Sequence, residues 1–288
     1  MIPYTRKTLP NGLTVVVNRD RASKLAAVNI LYRVGARNEN PARTGFAHLF
    51  EHLMFRGTRA VENFDLPVQM ASGDNNAFTN NDYTDFYITL PKDNLETALW
   101  LESDRMEGLD ITPAKLEAEK KVVIEEFRQR YLNQPYGDQT MLLRALAYKV
   151  HPYRWAAIGL ATDHIAGATL ADVESFYRAH YRPSNAILSI SADMEEERML
   201  ELAEKWFAPL ADHPSETAAI PQEPMQTQAR RQEVERDVPA STVTIAYHMC
   251  ARTKPDFYTA DLVSDLLSGG DSGRLYTHLV KLSLIHIS

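Results

Sequence analysis

Two histidines stand four residues apart in His48-Leu49-Phe50-Glu51-His52, with a glutamate beside the second. On a helix, positions i and i+4 share one face. Two imidazoles placed in this way can grip one metal ion with bonds of about 2.0–2.1 Å. Glu51 projects near the same face and can reach a water at the metal without ligating it. A zinc hydrolase needs three protein ligands, an open fourth position, and a carboxylate that takes a proton from the attacking water. The stretch supplies two ligands and a base, so a third ligand must come from elsewhere. A structural zinc site is a poorer fit, because such sites are closed by four Cys or His ligands and the chain has a single cysteine, Cys250.

Candidates for the third ligand lie after Pro113: Glu117, Glu119, Glu125 and Glu126. If this stretch is helical, Glu119 and Glu126 stack on one face two turns apart, and Glu125 points about 100° away from Glu126. Val122 and Val123 form an apolar stripe there, so part of the helix is expected to be buried. A carboxylate on the buried side needs a partner, and a metal ion or a metal-bound histidine would be one.

The elements that must carry these residues can be read from hydrophobic period. Phe46, Leu49 and Leu53 recur with the histidines at helical spacing over Thr44–Phe55, with Thr44 as the expected N-cap. Before it, the chain opens as a hairpin: β-branched Thr14–Asn18 follows the turn Pro10-Asn11-Gly12, and the apolar run Leu25–Val34 follows the polar turn Arg19–Lys24. Helices are expected at Phe64–Ala71, Asn94–Glu107, from Thr112-Pro113 to about Tyr131, Thr140–Tyr148, Thr169–His180 and Met194–Phe207. Thr112 caps with proline at the first helical position, and Thr169 caps the later helix. Ala77–Asn80, Thr84–Leu90 and Asn185–Ser191 read as strands. Strand and helix do not alternate strictly, so the expected class is α+β, a mixed and largely antiparallel sheet packed against helices.

His213–Gln228 holds three prolines and no period and reads as a linker between a first domain, 1–212, and a second, 229–288. The opening pattern then returns as strands near Gln232–Arg236 and Val243–Met249 and a helix from Pro255 to Leu267. Sixty residues cannot close such a unit, so this second copy reads as truncated, and Leu282–Ser288 fits no element. The chain has 288 residues and a net charge of −7, from 31 basic against 38 acidic residues. That balance argues against nucleic acid as the main partner. No apolar run reaches 18 residues and the N-terminus lacks a secretion signal, so a cytoplasmic protein without a membrane span is expected.

His-x-x-Glu-His followed by Glu-x6-Glu, with Glu126 lying 74 residues past His52, resembles the pitrilysin/insulinase family of zinc peptidases, which includes the mitochondrial processing peptidases. Asn11-Gly12-Leu13, Gly35-Ala36-Arg37-Asn38-Glu39, Gly45-Phe46-Ala47-His48 and Asn76-Ala77-Phe78-Thr79 agree with it. The resemblance implies one zinc ion per chain, bound by His48, His52 and Glu126, with Glu51 as base and Glu119 supporting a ligating histidine. It implies that Asn76, Ala77, Phe78 and Thr79 form an edge strand onto which an extended peptide substrate adds by backbone pairing. It also implies a chamber made of two half-shells, the second contributing an arginine and a tyrosine, so a missing C-terminal part or a partner chain is expected to close it. The activity implied is an endopeptidase for short or unfolded peptides. The alternative is a non-catalytic subunit or peptide-binding scaffold of the same fold, although such subunits usually lose the histidine-glutamate motif that this chain keeps.

Overall fold

The computed structural model describes residues 2–213 and 219–281. They divide into two compact units, the first ending at Ser241 and the second starting at Thr242. The expectation for Leu282–Ser288 lies outside the described residues.

The first unit is built on one six-stranded sheet. Its strands are β1 (Thr5–Thr8), β2 (Thr14–Arg19), β3 (Leu25–Tyr32), β4 (Asp74–Thr79), β5 (Thr84–Pro91) and β6 (Ala186–Ala192). The spatial order is β1-β2-β6-β3-β5-β4, and every pair is antiparallel except β2–β6. The expected α+β class is therefore the observed one. The opening hairpin is β1–β2, closed through the Pro10–Gly12 turn, where Gly12 has φ +89°. β2 and β3 are not neighbours, because β6 arrives from 170 residues downstream and pairs with both. Alternation along β3 and β6 buries Ala26, Val28, Ile30, Tyr32, Leu188 and Ile190, the signature of strands with one face on a core.

The helices of this unit are α1 (Phe46–Leu53), α2 (Asp65–Met70), α3 (Leu95–Glu107), α4 (Pro113–Phe127), α5 (Gln139–Ala147), α6 (Thr162–Ala166), α7 (Leu170–His180) and α8 (Glu196–Phe207). Thr112 caps α4 through the Lys115 N–H with Pro113 at its first position, and Thr169 forms a capping box with Asp172 on α7, both as expected. α4 passes directly into a π-helical turn, Arg128–Leu132. Under the sheet, Arg105 of α3 pairs with Glu102 at 2.7 Å and lies 4.4 and 4.2 Å from the Phe64 and Phe86 rings. Both charges are buried, and each is tolerable only because the other is there.

Two expected strands did not form. Residues 232–236 and 243–249 carry no ladder, and Val243, Ile245 and Tyr247 are 88%, 70% and 88% exposed. An alternating apolar pattern becomes a strand only when a neighbour takes its backbone N–H and C=O groups. Among the described residues, neither segment is paired with another in a ladder. The expected helix nearby does form as α9 (Asp256–Ser268), with Tyr258, Leu262 and Leu266 exposed. Within the first unit, the expected linker is tied to the chain at Glu223. Glu223 accepts the N–H groups of Lys149, Val150 and His151 at 2.7–2.9 Å.

Candidate metal centre

α1 is eight residues long and almost wholly buried, so its orientation is over-determined. Phe50 anchors it by stacking on Phe176 of α7 and on Tyr181, with ring centroids 5.3 and 5.1 Å apart. Leu49 and Leu53 fill the core. Thr44 does not cap α1. The N-cap is Gly45, at φ +94°, and the buried Glu39 carboxylate accepts the Gly45 and Ala47 N–H groups at 2.9 Å each. A carboxylate at a helix N-terminus satisfies orphan donors and complements the macrodipole. The Thr44 hydroxyl instead accepts the Leu160 N–H at 2.8 Å.

With α1 fixed, His48 and His52 face α4, which packs alongside. Glu126 Oε2 lies 3.7 Å from His48 Nε2 and 3.4 Å from His52 Nε2. One donor atom from each of the three residues falls within 4.8 Å of the others. A tetrahedral ion with bonds of about 2.0–2.1 Å has ligand–ligand edges of about 3.4 Å. The observed spacings therefore fit such an ion, and two imidazoles with one carboxylate are a donor set that zinc accepts in open sites. The chain brings together His48, His52 and Glu126. Of the four glutamates open as third ligand, Glu126 is the one that meets both rings. Glu125 instead pairs with Arg128 at 3.6 Å and Glu117 with Lys120 at 2.6 Å.

Glu119 lies one layer behind. Its Oε2 is 3.4 Å from His52 Nδ1, and the side chain is 1% exposed. A carboxylate on Nδ1 keeps the proton there and turns the Nε2 lone pair toward Glu126. Burial pulls the His52 imidazole down, but Glu119 and Glu126 outweigh it and lift it to about 9. Burial drives His48 down to about 4 against the opposing pull of Glu126. A proton and a metal ion compete for the same imidazole lone pair, so metal binding here releases a proton.

Glu51 completes the cluster from α1. Burial raises its carboxyl above the ordinary range, against the opposing pull of the Thr79 side chain. Thr79 ends β4, and β4 is the last strand of the sheet in the order observed. Asn76, Ala77, Phe78 and Thr79 all lie on β4, opposite Tyr87, Phe86, Asp85 and Thr84 of β5. Phe78 is exposed, and the Ala77 N–H is taken by the Asn76 side chain at 2.8 Å. The end of the predicted edge strand thus lies beside the predicted base.

Sequence reasoning missed three charged groups. Arg56 lies 2.5 Å from Glu119, Arg130 lies 2.9 Å from Glu126, and Glu39 holds the start of α1. The two arginines carried a signal, since each stands four residues after a candidate ligand, His52 or Glu126. Glu39 carried only its place in the block Gly35–Glu39 that agrees with the family, because its partners are reached through a loop.

Comparison with known proteins places this geometry. Residues 14–156 match the model of the insulinase family, peptidase family M16, and residues 167–287 match that of the peptidase M16 inactive domain. The chain is 35% identical to the zinc protease PqqE of Helicobacter pylori over 279 residues, 95% of this chain and 63% of that protein. It is 26% identical to a probable mitochondrial-processing peptidase subunit beta of Arabidopsis thaliana, over 88% of this chain and 48% of the relative. The chain thus spans between about half and two thirds of the length of these curated relatives. Among solved structures, a protease from Helicobacter pylori superposes with a TM-score of 0.86 at 32% identity, covering 97% of this chain and 68% of that one. A peptidase M16 inactive domain from Pseudomonas fluorescens shares the fold, with a TM-score of 0.80 at 19% identity and the same coverage. Because that fold also serves domains described as inactive, function must be argued from the site. Both family models and the Helicobacter relatives agree, and this chain belongs to the insulinase family, peptidase family M16.

Proposed function

We propose that this chain carries the hydrolytic site of a zinc-dependent endopeptidase acting on short or unfolded peptides. The observation that carries the reading is the approach of one Glu126 oxygen to both Nε2 atoms, at spacings a tetrahedral ion requires. In this reading His48, His52 and Glu126 hold one zinc ion, and Glu119 orients His52. Bound zinc supplies Lewis acidity, which polarises a substrate carbonyl and makes water a nucleophile near neutral pH. Glu51 takes the proton of the attacking water and returns it to the leaving amine. Its half-buried setting suits a group that must change protonation state during turnover. Asn76, Ala77, Phe78 and Thr79 offer an extended peptide a sheet edge, which recognises backbone rather than sequence. Residues 1–212 would form the zinc domain, 213–228 the linker, and 229–288 the start of a second, similar domain. A second half-shell, from a longer chain or a partner, would enclose the peptide.

The test is zinc content together with cleavage of an unstructured fluorogenic peptide, with and without a chelator. Cleavage that disappears with the chelator and returns with zinc is expected. Glu51→Gln should keep zinc and lower kcat by about 10²–10⁴-fold. Normal cleavage by that variant would remove Glu51 from its role. Peptide binding without cleavage by the zinc-loaded, full-length protein would favour a scaffold. Among the described residues, no helix is long and apolar enough to cross a membrane.

A further inference from the structure

Each carboxylate that meets the imidazole pair makes its closest approach with one oxygen. Glu126 presents Oε2 to both rings, and its Oε1 lies 2.9 Å from Arg130 Nη1. Glu119 presents Oε2 to His52 Nδ1, and its Oε1 lies 2.5 Å from Arg56 Nη2. The two arginines differ in what they hold. Arg130 reaches back one turn along its own helical run to a carboxylate that is still 19% exposed. Arg56 reaches from another element to a carboxylate that is 1% exposed.

Arg56 is placed by the way α1 ends. After Leu53 the chain continues through tight turns, with the Phe55 N–H on the His52 carbonyl and the Arg56 N–H on the Leu53 carbonyl. This carries Arg56 across the flank of α4, four residues beyond the histidine that Glu119 contacts. The pair lines a surface groove of about 1010 Å³, whose walls include Leu66, Trp100 and Val122. A buried carboxylate needs an opposite charge, and the Arg56 guanidinium beside Oε1 supplies it while Oε2 faces His52.

We propose that Arg56 is a positioning residue for the metal centre, locking the Glu119 carboxylate so that one oxygen stays on His52 Nδ1 and the Nε2 of that ring stays aimed at the metal. This role rests on the reading of His52 as a metal ligand. Lysine offers charge at the same reach without the planar fork, so it should restore the lock in part. Alanine should release it. Groups behind a ligating histidine are worth about 10–100-fold in metal affinity, and Arg56, acting through Glu119, should fall near the lower end.

The experiment measures zinc affinity by competition with a chromophoric chelator, alongside the d–d spectrum of the cobalt-substituted protein. Arg56→Ala should weaken zinc about 10-fold and shift the cobalt spectrum, and Arg56→Lys should recover most of both. In a Glu119→Gln background, Arg56→Ala should cost nothing further, because the carboxylate it acts through is gone. Equal zinc affinity for Arg56→Ala and the parent, or the same loss in both backgrounds, would overturn the role. Should Arg56→Ala fail to fold, the comparison passes to Arg56→Lys against Arg56→Gln, with the same two expectations. Failure of the parent protein to bind zinc would instead overturn the reading of the site itself.

Discussion

Thr79, at the end of the edge strand β4, stands beside Glu51 of the helix that carries both histidines, and its side chain opposes the upward push of burial on that carboxyl. The proposed base and the end of the proposed substrate edge are therefore neighbours. Thr79→Val keeps the shape and removes the donor. We expect kcat on the fluorogenic peptide to fall about 10-fold, with zinc affinity unchanged, since one hydrogen bond to a charged group is worth roughly 1.5–3 kcal/mol. Kinetics and metal titration on the same preparation check this. An unaltered kcat would mean that the contact does not orient Glu51.

Zinc should act as a folding ligand as well as a cofactor. At a free concentration of 100 times its Kd, a ligand specific for the folded state adds about 2.7 kcal/mol. Thermal unfolding with and without zinc should show this as a rise in Tm. Glu126→Gln removes the oxygen that lies closest to both rings and should abolish most of the rise, whereas Glu125→Gln, one residue away on another face, should leave it intact. Equal rises in the two variants would remove Glu126 from the ligand set.

The β4 edge makes a separate prediction about substrate. The Ala77 N–H is met by its neighbour's side chain. Ala77→Pro deletes that N–H at an edge, where proline is tolerated. Affinity for an extended, uncleavable peptide should drop about 10-fold by fluorescence anisotropy, while zinc binding persists. Undiminished peptide affinity would move the binding surface elsewhere.

Acid stability should report on His180. Burial against Phe176, reinforced by Arg182, lowers its imidazole from 6.5 to about 4. The unfolded chain protonates this group near pH 6.5, and the folded chain does so only near pH 4. Its contribution is therefore full above about 6.5 and is lost as pH falls toward 4, to a total of roughly 3 kcal/mol. Denaturant unfolding across that window should be flatter in His180→Gln than in the parent by about this amount. Parallel curves would show that the ring titrates alike in both states.

Local rules were enough to find α1 and its cargo. The spacing of His48 and His52 is a property of 3.6 residues per turn, and Thr112-Pro113 and Thr169 announce their helices through caps made within four residues. The chemistry of two imidazoles beside a carboxylate is likewise carried by residue type. What needed the tertiary structure was every relationship across the chain. Among Glu117, Glu119, Glu125 and Glu126, residue type is identical, and only the docking of α4 on α1 separates the one at both Nε2 atoms from the one behind His52. β6 slips between β2 and β3 because strand partners are chosen by shared hydrogen bonds and burial, not by order. The same rule left 232–236 and 243–249 without a ladder, for a strand is a contract between two segments whereas a helix is made by one.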